Sequence, residues 1–418
     1  MATEREPEHP QEQDPRPGGD AEVEIPAHLM QGQGQPRSSM LLRLLRPYSA
    51  RRVLEQPAED PGLAEHLPYP FMALVGQPEM RTALLLAAIN PNVGGVLLIG
   101  PRGTGKTTAA RGLSDLLPPI PQSTCPYGCL PEDYEAQGAD GVCGECAEKL
   151  ARGESITRTV SARLVELPLN ARLEDVIGGI SERAAIQQGR VRLDRGILSR
   201  ADRSILYVDE VNLLADEIVD AILDAAAQGQ YTVRRGPVRA TYRSRFVLVG
   251  SMNPEEGRLR PQILDRFGLR VLVSGLPGLD ERRLVYDRMR AFRTSPRAFI
   301  QAFSAETEAA REDVLAARER LPDVSLPGAV EAQGLELVKR LNIHSHRAEF
   351  TMFEAARAYV AADLRAEVTP ADLRAVAPMA LRMRNSQFIE DFFAAQRTED
   401  EHIAALLDGA DAGASGEG

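Results

Sequence analysis

An α/β fold, with a parallel sheet covered by helices on both faces and β-hairpin insertions, followed by an all-α region, is what the sequence predicts. Three observations carry this. The apolar run Val96-Leu97-Leu98-Ile99 leads directly into Gly100-Pro101-Arg102-Gly103-Thr104-Gly105-Lys106-Thr107 and then a helical stretch. Short apolar strands alternate with helical segments as far as residue 275, the pattern of a parallel sheet. Beyond Pro277 the chain reads as helix almost throughout.

In chain order, residues 1–67 are rich in Pro, Glu, Gln, Gly and Arg, and they bury too little apolar surface to offset their ordering entropy. A disordered arm is expected there, with a transient helix over Met40-Leu41-Leu42-Arg43-Leu44-Leu45-Arg46. Order begins near Pro68, and the stripe Met80, Leu84 and Leu85 marks a helix from Glu79 to Ile89. After the glycine-rich loop, strands are expected at Leu164–Pro168, Ile205–Val208, Phe246–Gly250 and Arg270–Val273. Between them lie a helix from Leu214 to Gln228 and two candidate hairpin insertions, Gly189–Leu193 and Tyr231–Thr241. Helices follow near 279–292, 297–320, 328–341, 349–365 and 370–384. The expected divisions are a nucleotide-binding domain over 68–275 with a cysteine-rich insertion at 125–146, a helical linker over 276–333, a helical lid over 334–384 and an acidic tail over 385–418.

The bulk numbers set limits. With 418 residues there is room for two or more domains, and a net charge of -11 argues against a general nucleic-acid binder. No apolar run approaches the roughly 18 residues of a membrane span, and the first residues form neither a basic nor an apolar leader, so a cytoplasmic protein is expected. All four cysteines, Cys125, Cys129, Cys143 and Cys146, fall in one 22-residue stretch. Cys-x3-Cys, 13 residues, then Cys-x2-Cys is a spacing that can close a tetrahedral thiolate site, so structural Zn²⁺ is expected; an iron–sulfur cluster and four reduced thiols are the alternatives. Four protein ligands leave no open position, so such a metal would not be catalytic.

The loop from Gly100 to Thr107 fits G-x-x-x-x-G-K-[ST] in a strand–loop–helix setting, where backbone N–H groups and a helix N-terminus surround phosphates. The chain has only three lysines, so Lys106 in this loop is unlikely chance; it is expected to reach the β- and γ-phosphates of ATP, with the Thr107 hydroxyl on Mg²⁺. Asp209 and Glu210 end an apolar strand, where an α/β sheet places its acids: Asp209 for Mg²⁺ and Glu210 to polarise the attacking water. Asn253, ending the next strand in Ser251-Met252-Asn253-Pro254, can orient the same water. Arg266, at a helix end in Pro261–Gly268, can enter a neighbouring subunit's site and neutralise transition-state charge, which implies a ring. Arg347 opens a helix of the lid and is expected to contact the γ-phosphate.

The loop together with Val75-Gly76-Gln77, the strings Leu206–Leu214 and Phe246–Gly257, and Leu259–Gly268 closely resemble the AAA+ ATPase (I) subunits of magnesium chelatase, over about residues 68–384. The resemblance implies an AAA+ P-loop domain with a helical lid, and the roles above for Lys106, Thr107, Asp209, Glu210, Asn253, Arg266 in trans and Arg347. It also implies a ring, here expected to be of six copies, acting with an integrin-domain subunit and a porphyrin-binding subunit to insert Mg²⁺ into protoporphyrin IX for (bacterio)chlorophyll biosynthesis. With six scattered histidines and 5% aromatics, the chain itself offers no macrocycle site. Two other readings stay open: a remodelling motor that works with an integrin-type partner on another metalloenzyme, and a DNA-directed motor using Arg234, Arg235, Arg239, Arg243 and Arg245.

Overall fold

The computed structural model describes residues 67–385 apart from 126, 181–192, 237 and 258, together with 391, 396 and 398–400. The expected N-terminal arm, the first expected hairpin except Leu193 and most of the acidic tail lie outside the described residues.

The chain runs α1 (Pro78–Ile89), β1 (Val96–Ile99), α2 (Lys106–Leu113), β2 (Ile120–Ser123), α3 (Pro131–Gln137), α4 (Gly144–Ala151), β3 (Thr157–Val160) and β4 (Leu164–Leu167). It continues through α5 (Leu173–Ile177), α6 (Ile197–Arg200), β5 (Ile205–Val208), α7 (Asp216–Gln228), β6 (Gln230–Arg235), β7 (Val238–Arg243), β8 (Val247–Met252), α8 (Pro261–Arg266) and β9 (Leu269–Leu272). Among the described residues the helices α9 (Leu279–Thr294), α10 (Pro296–Ala302), α11 (Ser304–Arg320), α12 (Gly328–Arg340), α13 (Arg347–Ala362) and α14 (Pro370–Leu381) follow, with one isolated parallel bridge between Ser325 and Glu367.

Five of the strands form one parallel sheet in the order β4-β5-β8-β1-β9. Its strands are nearly continuous apolar runs because both faces are covered. The period of two divides them: Val96, Leu98, Ile205, Tyr207, Val247 and Val249 pack into one core with α1, α2 and the C-terminal helices. Leu97, Ile99, Leu206, Val208 and Leu248 pack into the other, with α5 to α8. Tyr207 is thus placed on the face that carries α2, and its neighbour in the next pleat, Val208, is not.

Two features differ from the sequence reading. The helix expected over 297–320 is two helices, because the wholly buried Phe303 leaves helical geometry between them and packs its ring 5.1 Å from that of Phe299. The cysteine segment is framed by an antiparallel pair, β2 and β3, that the polar run Ile120-Pro121-Gln122-Ser123 did not announce. The hairpin expected at Tyr231–Thr241 is β6–β7, and Ile180 and Leu193 are joined by an isolated antiparallel bridge.

Candidate functional site

The carboxyl ends of β1, β5 and β8 meet at one edge of the sheet, below a cavity of about 720 Å³. It is lined by residues 102–108 of the glycine-rich loop, by Asp209, Glu210, Ser251 and Asn253, and on its far side by Tyr69, Leu74, Val75, Gln77, Met80, Leu276, Arg282, Val285 and Met289. A cleft with a phosphate cradle at one end and apolar walls at the other suits a nucleotide, phosphates first and base last.

The loop's geometry depends on its glycines. A Cβ on Gly100 would lie 1.9 Å from the Val273 carbonyl oxygen, so only glycine lets β1 and the chain after β9 come this close. Gly103 and Gly105 have φ of +78° and +88°, and a Cβ on either would point into open space. This leaves a bare cradle at the N-terminus of α2, where the helix dipole and unpaired N–H groups attract anions. Lys106 is largely buried, and its ammonium donates to the Gly100 and Pro101 carbonyls at 2.6 and 2.8 Å. Burial lowers its pKa, and the carboxylates of Asp209, Glu256 and Glu210 act in the opposite direction.

The Thr107 hydroxyl lies 2.9 Å from the Tyr207 hydroxyl, which donates to Asp209 Oδ1 at 3.0 Å; Ser251 Oγ donates to the same oxygen. Tyr207 and Ser251 were not singled out in the sequence reading. A hydroxyl in an otherwise aliphatic buried strand needs partners, and Tyr207, two residues before Asp209, shares its pleat. Burial raises the Tyr207 pKa, so the phenol stays protonated and available as a donor. Glu210 adopts left-handed backbone, φ +46°, and its N–H donates to Ser251 Oγ at 3.2 Å. Its carboxylate is paired with the exposed Arg102, at 2.8 Å, and Arg102 also pairs with Glu256 at 2.6 Å. Asn253 is 4% exposed and lines the cavity, with its Oδ1 accepting the Glu255 N–H at 3.3 Å.

Arg266 and Arg347 do not line this cavity. Arg266 lies 3.0 Å from both Asp220 and Asp224 of α7. Arg347, at the start of α13, lies 3.6 Å from Asp265 Oδ2. The two arginines expected to face phosphate are therefore together at the Asp265–Arg266 end of α8, away from their own chain's cradle.

Asp265 is the hub of a second cluster. It accepts from the fully buried Arg384 at 2.6 Å and from Ser345 at 2.7 Å, and lies 3.6 Å from the fully buried Arg270. Arg270 also donates to the Arg382 and Leu264 carbonyls, and Arg384 to those of Ala380, Phe267 and Gly268. Burial alone would raise the Asp265 pKa, but the Ser345 hydroxyl and the guanidiniums of Arg384 and Arg270 outweigh it and hold the carboxyl below the usual aspartate range.

The four cysteine sulfurs, in the segment between β2 and β3, lie within 4.8 Å of one another.

The magnesium chelatase, subunit ChlI, family model matches residues 71–125 and 170–274, and the AAA lid domain model matches 334–406. Cys129, Cys143 and Cys146 fall between the two stretches of the first match. The chain is 44% identical to a magnesium-chelatase subunit ChlI homolog of Methanocaldococcus jannaschii, over 77% of this chain and 87% of the relative. It is 43% identical to the magnesium-chelatase 38 kDa subunit of Acidiphilium rubrum, over 76% of this chain and 90% of that one. A crystal structure from Cytophaga hutchinsonii, 18% identical, covers 74% of this chain and 83% of its own with a TM-score of 0.50, a likeness of fold.

Proposed function

The chain belongs to the magnesium-chelatase ChlI family, and on that premise we propose that it is the ATPase motor of a magnesium chelatase, coupling Mg²⁺-dependent ATP hydrolysis to insertion of Mg²⁺ into protoporphyrin IX. The observation that carries the motor reading is the hydrogen-bonded line Thr107–Tyr207–Asp209 beside the bare glycine cradle. It sets a hydroxyl and a carboxylate, both hard oxygen donors, side by side where a nucleotide's Mg²⁺ is needed. Thr107 and Asp209 would hold that Mg²⁺, whose charge would offset that of the phosphates.

The chain's own residues do the rest. Lys106 gives up its two loop carbonyls for the phosphates. Tyr207 and Ser251 hold Asp209 in one orientation, so Thr107 and Asp209 present their oxygens together. Glu210 leaves Arg102 and accepts a proton from the water that attacks the γ-phosphate, while Asn253 aligns that water. Arg266 and Arg347, which do not line their own chain's cavity, serve the cradle of the next subunit in a ring. An integrin-domain subunit and a porphyrin-binding subunit complete the enzyme.

The test is ATP-dependent formation of Mg-protoporphyrin by this protein with those two subunits. Product formation that requires Lys106 is expected. ATP hydrolysis with no product would favour the other reading, a motor that remodels a different metalloenzyme through an integrin-type partner.

A further inference from the structure

The segment between β2 and β3 poses a folding problem. Its buried cluster consists of Cys125, Cys129, Cys146 and Ile156, with Cys143, Val142 and Leu150 partly buried against it. So few apolar groups cannot hold more than thirty residues in one conformation, and small units of this kind are usually stapled by disulfides or a metal. All four cysteines are unpaired with one another.

We propose that Cys125, Cys129, Cys143 and Cys146 bind one structural Zn²⁺, and that the resulting knuckle braces the β6–β7 hairpin. Zn–S bonds of about 2.3 Å in a tetrahedron separate the sulfurs by about 3.8 Å. The four Sγ atoms, all within 4.8 Å of one another, are already close to that arrangement. An iron–sulfur cluster places bridging sulfides between its irons and carries its cysteines further apart. The donors are built for thiolates as well: the Cys129 N–H and the Ser123 hydroxyl reach Cys125 Sγ, and the Cys143 N–H reaches Cys129 Sγ, each at 3.3 Å. Such bonds to sulfur spread the negative charge that metal-bound thiolate carries. The first cysteine pair encloses a turn, with the Gly128 N–H on the Cys125 carbonyl at 3.3 Å, and the second pair opens α4, with Cys143 immediately before it.

The knuckle is tied outward through α3, which begins two residues after Cys129. Glu132 accepts from Arg203, just before β5, at 2.8 and 2.9 Å. Asp133 accepts two bonds from Arg243 on β7. The fixed α3 therefore holds the last residue of the hairpin by a bidentate charge pair, the strong form of such contacts.

Metal analysis of the full-length protein, purified without chelator, should find about one zinc per chain. Exchange for Co²⁺ should give the intense thiolate-to-cobalt and visible bands of a tetrahedral sulfur site. Cys143→Ser with Cys146→Ser should abolish the metal. Four freely titrating thiols or a disulfide without metal, iron with acid-labile sulfide, or zinc retained in the double variant would each overturn the site. For the brace, Asp133→Asn should keep its zinc yet raise amide exchange across 230–243 on the order of tenfold. Unchanged exchange there would overturn that part.

Discussion

The arginine–carboxylate cluster at the cradle and the one around Asp265 differ in one property. At the cradle, Arg102 bridges Glu210 and Glu256 with 71% of its side chain exposed. At the end of α8, Arg270 and Arg384 surround Asp265 with none of theirs exposed. Pairs in water are worth little and exchange easily, whereas a buried pair that loses one member leaves a charge with no compensation. In the proposed mechanism the first cluster releases Glu210 when nucleotide arrives. The second cannot open, and fixes β9, α13 and α14 to the helix that ends in Arg266. One arrangement of residues makes a switch and the other a fastening.

Variants can break this contrast, beginning with the strongest. Arg266 pairs with two exposed carboxylates, Asp220 and Asp224, that water can solvate without it, so Arg266→Ala should fold and bind ATP normally yet lose on the order of 10³-fold or more in turnover, read by steady-state phosphate release. Glu210→Gln should bind ATP and hydrolyse it about 10²- to 10⁴-fold more slowly, measured by nucleotide titration alongside single turnover. Normal turnover would place the water-activating group elsewhere. Asp265→Asn should cost about 3–5 kcal/mol of stability by denaturant melts, since both buried guanidiniums lose their carboxylate. The folded-state pKa of Asp265 lies below its unfolded value, so this stabilisation is present above the ordinary aspartate range and is lost as pH falls through the folded value. The variant's melts should be correspondingly flatter in that acid window. Least of all, Arg102→Ala should leave stability unchanged and raise basal turnover by no more than about fivefold, because Glu210 no longer has a pair to leave.

The same contrast explains what could be read before the fold was known. Gly100 to Thr107 is one contiguous string, and Asp209-Glu210 follows its strand directly, so both were legible. The five parallel strands were legible for the same local reason: each is a short apolar run. Asp265 draws its partners from positions 270, 345, 347 and 384, and nothing in the chain's local pattern links them. Arg347 was rightly seen to open a helix, but its distance from its own cradle depends on how α13 packs, which periodicity does not encode. Tyr207 was hidden in a strand otherwise read only for its hydrophobicity. The cysteines announced themselves by spacing, while the Asp133–Arg243 tie, 110 residues apart, did not.

The central claim is that each hydrolytic site is shared between two subunits, with Glu210 from one and Arg266 from the next. Mixing Glu210→Gln with Arg266→Ala protein tests it most directly. In mixed rings about a quarter of the interfaces pair an intact Glu210 with an intact Arg266. Two preparations inactive alone should therefore regain ATP turnover together. Mixed rings that assemble and stay inactive would contradict a shared site.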